Sequence, residues 1–350
     1  MRISKTISFG LIISFTIITL LFLLFSTTSV FASQKPIDRL FQQPSYNFNA
    51  ELAKVALELS TSAYGDTPET IETALNNYGF TNDETHDSNS YLKASEKGAN
   101  SVAFSLANKT LNADGQEYNL IAVVIRGTSG QNEWISNFNI NNSGLYPTIH
   151  EGFDKATKEI LSSLQEYLKE LNTTKANTKI LVTGHSRGAA VANLLAADLS
   201  SSETFANDQN IYAYTFATPN VAKFDSQQYF NIFNALDNSD IITLLPLEEW
   251  GYSKYGVNYT TLDLKTVNQS NLASTNKLIS EITTVAPNLE SFYKSKLVLY
   301  LLEGDKIPKE TMEAHTPQSY MTWLNQADPK ALEESVLDLQ LELIPNNNYA

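Results

Sequence analysis

The chain contains no cysteine, and this absence excludes several classes of protein at once. None of its 350 residues carries a thiol, so disulfides and thiolate metal sites are both ruled out. A lipid-anchored lipoprotein is excluded as well, because its anchor requires a cysteine at the cleavage point. The fold must therefore be stabilised by its hydrophobic core, and a chain of this length can bury a large one.

Basic residues are scarce relative to acidic ones. Lysine and arginine together number 24, against 38 aspartates and glutamates, which gives a formal net charge of −14. This balance argues against a nucleic-acid partner and against electrostatic attraction to anionic lipid. Any contact with a lipid interface would therefore have to be apolar, and nothing in the composition implies a protein partner.

A long apolar run lies at the N-terminus. It covers residues 7–25, follows two basic residues, and is itself followed by a polar stretch that ends in Val30-Phe31-Ala32. This arrangement is typical of a secretory signal that is cleaved after Ala32, although the run also approaches the length of a membrane span. We expect residues 1–32 to be a signal peptide and the protein to be secreted and extracellular. An uncleaved N-terminal membrane anchor is the alternative.

The remaining residues, 33–350, are expected to form a single domain, because no internal repeat or linker rich in Pro, Gly or Ser divides them. Strand patterns alternate with helical ones, which predicts an α/β fold with a mostly parallel central sheet covered by helices on both faces. The predicted strands are Ser101–Ala107, Asn119–Ile125, Lys179–Thr183, Ile211–Phe216 and Phe230–Leu236.

Three other segments complete the expected organisation. Residues 154–171 and Ala189–Leu199 have helical spacing of apolar residues. Residues 262–312 have few strand signals and are expected to form a helical insertion. Asn82–Ser90 is strongly polar and is predicted to be a loop.

The stretch VTGHSRGAAVANLLA, residues 182–196, is typical of a nucleophile elbow. Ser186 lies between Gly184 and Gly188, with a strand pattern before it and a helical pattern after it. In such a turn the serine hydroxyl projects above the sheet, and glycines allow the strand and the helix to approach each other. We therefore predict that Ser186 is a nucleophile.

A serine nucleophile needs a histidine base and an acid that orients it. Of the four histidines, His86 is expected to be solvated in its polar segment and His185 to pack locally within the elbow. The chain order Ser, acid, His that is usual in such sheets selects His315 over His150. The acid should follow a strand, where both Asp237 and Asp240 are found, and position favours Asp240 only weakly.

An acyl-transfer site also needs donors for the oxyanion. The amide of Arg187, the residue after the nucleophile, is one candidate. The loop that ends the strand pattern IAVVIRGTSG supplies Thr128 as the second. The chemistry requires no metal or cofactor, and there is no H-E-x-x-H pattern, although acidic loops leave room for a structural calcium ion.

Taken together, these stretches resemble the fungal-type lipase family, lipase class 3, of the α/β-hydrolase superfamily. The segments that carry the resemblance are AVVIRGTSGQNEWISNF, IHEGF, VTGHSRGAAVANLLA, YTFATPNVA, NALDNSDIITLLP and AHTPQSY. They cover roughly residues 49–325. The resemblance implies an α/β-hydrolase fold and a carboxylic ester hydrolase that acts on lipids.

The resemblance also implies particular site residues. It carries over Ser186 as nucleophile, Asp240 as acid and His315 as base, and prefers Asp240 because the aspartate of the family directly precedes an apolar pair. It makes Thr128 the second oxyanion donor. A mobile lid is implied at Gln131–Phe138, with the side chains of Trp134, Ile135 and Phe138 as its apolar face.

The sequence departs from the pattern of the family at three places near the expected site. Thr243 follows Ile242 at a position where the family often has a proline, and the proline of this chain comes only at Pro246. Arg187 stands where many members have an apolar residue, and the segment between Asp240 and His315 is longer than in compact members. Triacylglycerol, phospholipid in a phospholipase A1 reaction, and a soluble ester therefore all remain candidate substrates. A peptidase or a carbohydrate-linked esterase would use the same residues, and a non-catalytic binding protein on this scaffold is a further hypothesis.

Overall fold

The computed structural model describes residues 35–97, 101–113, 115–128, 151–223, 229–260, 269–285 and 309–344. The chain divides into two compact units, Met1–Lys35 and Pro36–Ala350, and the fold below belongs to the second. The expected signal peptide lies outside the described residues. Among those residues, no helix combines the length and the apolarity that a membrane span requires.

The second unit is built on a seven-stranded sheet in which the strands lie in chain order. The strands are β1 Thr81–Asn82, β2 Phe104–Ala113, β3 Gln116–Ile125, β4 Thr178–His185, β5 Ile211–Phe216, β6 Ile232–Leu236 and β7 Val257–Thr260. Strands β1 to β3 pair antiparallel, and β3 to β7 pair parallel. The prediction of a mostly parallel sheet is therefore confirmed.

Nine α-helices are found among the described residues. They are α1 Ala50–Ser62, α2 Glu69–Asn77, α3 Glu84–Lys97, α4 Glu151–Glu170, α5 Arg187–Ser202, α6 Gln269–Val285, α7 Lys309–Ala314, α8 Pro317–Gln326 and α9 Pro329–Leu343.

The sheet is covered on both faces, as the continuous apolar run of β4 requires. Ile180 and Val182 pack in one core with residues of α4 and α5, whereas Leu181 packs in a second core with residues of α1, α8 and α9. Helices α4 and α5 each connect two neighbouring parallel strands. Because such connections are right-handed and the strands lie in chain order, both helices pack on the same face of the sheet. The helices before and after the sheet cover the other face.

The segment predicted to be a polar loop, Asn82–Ser90, instead contains the end of β1 and the first half of helix α3. The residues that this half of the helix buries, Asp87 and Ser90, are polar, so the segment has no apolar periodicity. The carboxylate of Asp87 accepts a hydrogen bond from the Leu106 amide at 2.9 Å, and the Ser90 hydroxyl donates to the Phe104 carbonyl at 2.6 Å. These bonds attach the first half of α3 to the antiparallel strand β2, and Tyr91 and Ala94 of its second half pack in the apolar core.

The predicted insertion at residues 262–312 is described only in part. Helix α6 lies within it, and α7 begins at its C-terminal end. Leu278 and Ile282 of α6 pack in a small third core with Ile241 and Ile242, the residues that follow Asp240. Helix α6, the described part of the insertion that these residues belong to, is therefore packed against the segment expected to carry the acid.

Candidate active site

Ser186 occupies a sharp turn between β4 and α5. Its φ of 59° and ψ of −125° lie in a region that non-glycine residues seldom adopt, so the turn is strained. The Ser186 amide donates to the Phe216 carbonyl at 2.9 Å, and the Ala190 amide donates to the Ser186 carbonyl at 3.0 Å. These two bonds hold the strained residue between the end of β5 and the first turn of α5.

The two flanking glycines are required by close backbone approach. A Cβ atom on Gly184 would lie 2.4 Å from the backbone of Gly188, and one on Gly188 would lie 2.3 Å from the carbonyl oxygen of Ile125. Neither contact can be relieved by a flexible side chain. The glycine pattern in the sequence therefore reflects the contact of α5 with β4 and with the end of β3.

His315 lies next to Ser186 although 129 residues separate them in the chain. Its Nε2 is 2.8 Å from the Ser186 Oγ, and the histidine is 3% exposed. It follows the last residue of α7, and Thr316 then caps α8 by accepting a hydrogen bond from the Ser319 amide at 3.3 Å. The side chain is thus presented from a short connection between two helices.

Of the two candidate acids, Asp240 is the one whose carboxylate contacts His315. Its Oδ2 lies 2.8 Å from His315 Nδ1, and its Oδ1 accepts a hydrogen bond from the Ile242 amide at 3.0 Å. Asp237 instead caps its own turn by accepting from the Ser239 amide at 2.8 Å. Asp240 is completely buried, and its carboxylate therefore depends on these hydrogen bonds for its stabilisation.

Tyr320 is a member of the site that the sequence reasoning missed. Its hydroxyl donates to Asp240 Oδ2 at 2.9 Å and accepts from the Asp237 amide at 3.0 Å. Burial, and then the negative charge of Asp240, raise the pKa of Tyr320 well above its ordinary value, so it remains a donor. The signal in the sequence was its place in AHTPQSY, one helical turn after Thr316.

His185 packs within the elbow, as expected, but it has a specific partner. The Tyr64 hydroxyl lies 2.6 Å from its Nδ1. Burial, together with the nearby His315, holds the pKa of His185 well below its ordinary value, and burial raises the pKa of Tyr64. The neutral imidazole therefore accepts a hydrogen bond from the Tyr64 hydroxyl, and among the described residues it is His315 whose ring nitrogen contacts Ser186.

The two expected oxyanion residues flank this elbow. Arg187 is the first residue of α5, where main-chain amides lack partners within the helix. The strand end at Gly127 lies against the elbow, since a Cβ there would be 2.7 Å from the His185 carbonyl oxygen and 2.0 Å from the Tyr64 hydroxyl. Thr128 follows directly and is buried.

Two further predictions about the site, the lid and the second candidate base, concern residues that the structure does not describe. The proposed lid, Gln131–Phe138 with Trp134, Ile135 and Phe138, lies outside the described residues. The second candidate base, His150, lies outside them too. Both therefore stay predictions from the sequence.

One group of possible metal ligands is found among the described residues, and it lies on α3 and α4. His86 Nε2 is 3.7 Å from a carboxylate oxygen of Asp83 and 3.6 Å from one of Glu170. The other Asp83 oxygen accepts from the amides of Thr85 and His86, which makes it the N-terminal cap of α3. The group is explained by helix capping and charge pairing, and His86 is half-buried rather than fully solvated as expected.

The chain is similar in sequence to several known proteins. Residues 122–250 match the family described as Lipase (class 3). The chain is 30% identical over 148 residues to the secreted mono- and diacylglycerol lipase 1 of Fusarium solani, covering 40% of this chain and 43% of that protein. It is 27% identical over 160 residues to a lipase of Rhizomucor miehei, covering 43% of this chain and 44% of that protein.

A plant protein is also similar. The match to a chloroplastic phospholipase A(1) of Arabidopsis thaliana has 26% identity over 157 residues and covers 36% of this chain and 33% of that one. Each of these matches spans less than half the length of the relative concerned. The matched region, residues 122–250, holds Thr128, Ser186 and Asp240.

Proposed function

We propose that the protein is a secreted serine carboxylic ester hydrolase, and that it is a lipase which cleaves acyl esters of glycerolipids. The observation that carries the proposal is the continuous line of hydrogen bonds from Ser186 Oγ to His315 Nε2, and from His315 Nδ1 to Asp240 Oδ2, at 2.8 Å each. Serine, imidazole and carboxylate in this order, on a strained elbow, form the arrangement used for acyl transfer.

In the proposed first half-reaction, His315 Nε2 takes the proton of Ser186 while Oγ bonds to the ester carbonyl carbon. The negative charge that moves to the carbonyl oxygen is held by the amides of Arg187 and Thr128. Collapse of this intermediate breaks the bond to the alcohol, which leaves with the proton from His315. Asp240 stabilises the imidazolium formed in between.

The second half-reaction repeats these steps with water. His315 removes a proton from water, whose oxygen bonds to the acyl carbon, and then returns that proton to Ser186 Oγ as the ester bond to the enzyme breaks. The products are a fatty acid and the free enzyme. This cycle uses no group beyond the residues named and water.

The first test compares Ser186→Ala with the unchanged chain on a p-nitrophenyl acyl ester. We expect a loss of at least about a thousandfold in kcat, with no comparable loss in Ser201→Ala, a variant at an exposed serine on the same helix α5. Undiminished hydrolysis by Ser186→Ala would end the proposal. Activity that persists in His315→Ala would instead indicate His150 as the base.

The substrate class needs a separate experiment. Emulsified triacylglycerols of increasing chain length, monoacylglycerol and diacylglycerol esters, phosphatidylcholine and a water-soluble short-chain ester would be compared at matched ester concentration. A lipase prefers the emulsified glycerides. A preference for phosphatidylcholine would favour phospholipase A1 activity, which the similarity to the Arabidopsis protein makes the second candidate. Hydrolysis of the soluble ester alone would indicate an esterase.

Secretion is part of the proposal and is tested independently. Cleavage after Ala32 predicts that the protein recovered from the culture medium begins at Ser33. Recovery in the membrane fraction with residues 1–32 still attached would favour the N-terminal anchor.

A further inference from the structure

Lys254 is a buried lysine whose presence the proposed reaction does not explain. It is 6% exposed, and no carboxylate of the described residues forms an ion pair with it. Its Nζ donates to the Asn220 side-chain oxygen at 2.7 Å and to the Thr243 carbonyl at 2.9 Å. A buried cation that is held only by neutral oxygens destabilises the folded state, so this position calls for a reason other than stability.

The two acceptors of Lys254 belong to the segment that presents Asp240. Thr243 closes the turn that Asp240 caps, because its amide and its hydroxyl both donate to the Asp240 carbonyl, at 3.3 Å and 2.8 Å. Lys254 therefore donates to the carbonyl of Thr243, whose amide and hydroxyl are themselves hydrogen-bonded to Asp240. Through Thr243 it limits how far the main chain at Asp240 can move.

Asn220 forms hydrogen bonds with the C-terminal end of the segment that begins at Asp240. Its amide donates to the Leu245 carbonyl at 2.8 Å, and its side chain donates to the Pro246 carbonyl at 2.8 Å. Lys254 connects this end to Thr243. Residues 240–246 are thus held by one asparagine and one lysine that lie on different parts of the chain.

The charge of Lys254 also acts on Asp240. Burial lowers the pKa of Lys254 to about 8, and the negative charges of Glu248 and Asp240 oppose that change. Glu248 is the exposed first residue of a 3₁₀ turn, and His315 contacts the Asp240 carboxylate directly. Lys254 therefore keeps most of its charge at neutral pH, and its attraction to Asp240 acts equally on both partners.

We propose that Lys254 is a positioning residue of the hydrolase site, which together with Asn220 fixes residues 240–246 and supplies a buried positive charge that attracts the Asp240 carboxylate. The proposal rests on the function proposed above. Its two parts are separable, since the hydrogen bonds set the position of Asp240 and the charge adds an electrostatic attraction to its carboxylate.

The test is the pH dependence of Ser186 phosphonylation by a fluorophosphonate, measured between pH 5 and 9 on the full chain. Lys254→Gln retains an N–H donor but removes the charge. Loss of a nearby positive charge makes protonation of His315 easier, so the acid limb of the rate profile should move upward by about half a pH unit. Lys254→Arg keeps the charge and should leave the acid limb in place. Lys254→Met removes both functions and should also lower the plateau rate roughly tenfold.

Lys179 provides a matched control. It is also a buried lysine bonded to an asparagine, at 3.0 Å from the Asn210 side-chain oxygen. It stands near the start of β4, about 20 Å along the strand from Ser186. Lys179→Met should lower the urea midpoint and leave the profile of phosphonylation against pH unchanged.

If the Lys254 variants do not fold, Glu248→Gln still tests the effect of charge on the site. Glu248 is exposed, so this variant is expected to fold. Removal of this negative charge should move the acid limb downward, opposite to Lys254→Gln and by a smaller amount. If Lys254→Gln and Lys254→Met lower the urea midpoint but react as the unchanged chain does at every pH, Lys254 is structural only and the proposal is wrong. An unchanged chain that no fluorophosphonate labels would overturn the proposed function itself.

Discussion

Asp240 has three hydrogen-bond donors, and two of them are side chains that can be replaced singly. His315 Nδ1 lies 2.8 Å away, the Tyr320 hydroxyl 2.9 Å and the Ile242 amide 3.0 Å. A buried carboxylate is stabilised by its donors, and the same donors fix its orientation toward His315. At the scale of residues, the site therefore depends on the hydrogen bonds to Asp240 as much as on Ser186.

Tyr320→Phe removes one of these donors without changing the shape of the ring. We expect kcat/KM for ester hydrolysis to fall about five- to tenfold, since a hydrogen bond to a charged group contributes about 1.5 kcal/mol or slightly less in the transition state. The Asp237 amide loses its acceptor in the same variant, so the urea midpoint should fall too. Steady-state kinetics with the p-nitrophenyl ester gives the first value.

Tyr46→Phe is a suitable control, because Tyr46 is a partly exposed tyrosine remote in sequence from the site. It should leave kcat/KM unchanged. A Tyr320→Phe enzyme as active as the unchanged chain would mean that two donors are enough to hold Asp240.

The residues that sequence could predict are those with local patterns. Ser186 was found from its flanking glycines, and His315 from chain order, but position alone did not separate Asp240 from Asp237. Tyr320, Lys254 and Asn220 join the site through contacts across the sequence, the first of them 80 residues from Asp240. No local period or spacing encodes such contacts.

At the scale of elements, the elbow depends on how closely α5 approaches β3 and β4. A Cβ on Gly188 would lie 2.3 Å from the Ile125 carbonyl oxygen, and both are backbone positions in packed elements. Gly188→Ala should therefore lower the free energy of unfolding by about 3 kcal/mol or more, measured by urea denaturation.

Gly115→Ala is the comparison for this prediction. Gly115 has a φ of 76° in the turn between β2 and β3, with open space around its Cβ position. Alanine there should lower the stability by about 1 kcal/mol, from backbone strain alone. Equal losses in the two variants would show that the close approach at Gly188 is unimportant.

The elements themselves were predicted well where apolar periodicity was strong and poorly where it was not. The strand Ile211–Phe216 was placed correctly, and α4 and α5 were predicted within a few residues of their bounds. The first half of helix α3 was missed because it buries the polar residues Asp87 and Ser90, whereas the buried apolar residues Tyr91 and Ala94 lie in the second half. Apolar spacing cannot reveal helical turns that are attached by polar groups.

At the scale of the whole molecule, Asp87 links stability to pH. Burial raises its pKa to about 7, against the opposing hydrogen bond from the Leu106 amide. Between the ordinary value of about 4 and about 7, the folded chain holds a proton that the unfolded chain has released. Its stabilising contribution is therefore complete below about pH 4 and is lost as the pH rises through 7.

Asp87→Asn removes this titration. The stability of the unchanged chain relative to the variant should fall by up to about 1.4 kcal/mol per pH unit between pH 5 and 7, and level off above pH 8. Urea unfolding at each pH gives the difference. Asp338→Asn, at an exposed position of α9, should show no such slope, and a flat difference for Asp87→Asn would refute the buried titration.

The net charge of −14 also belongs to this scale, because it limits what kind of interface the molecule can approach. The fold and the order of the site segments followed from the sequence, whereas the substrate did not. The chain length of the acyl group depends on the walls of a binding site, and the lid predicted at Gln131–Phe138 lies outside the described residues.

The central claim is that Ser186 is the nucleophile, and intact-mass spectrometry after fluorophosphonate treatment tests it most directly. The unchanged chain should gain the mass of one phosphonyl group, and peptide mapping should place that group on Ser186. Ser186→Ala should gain none, and His315→Ala should react far more slowly because the serine has lost its base. An unlabelled native chain, or equal labelling of Ser186→Ala, would contradict the account.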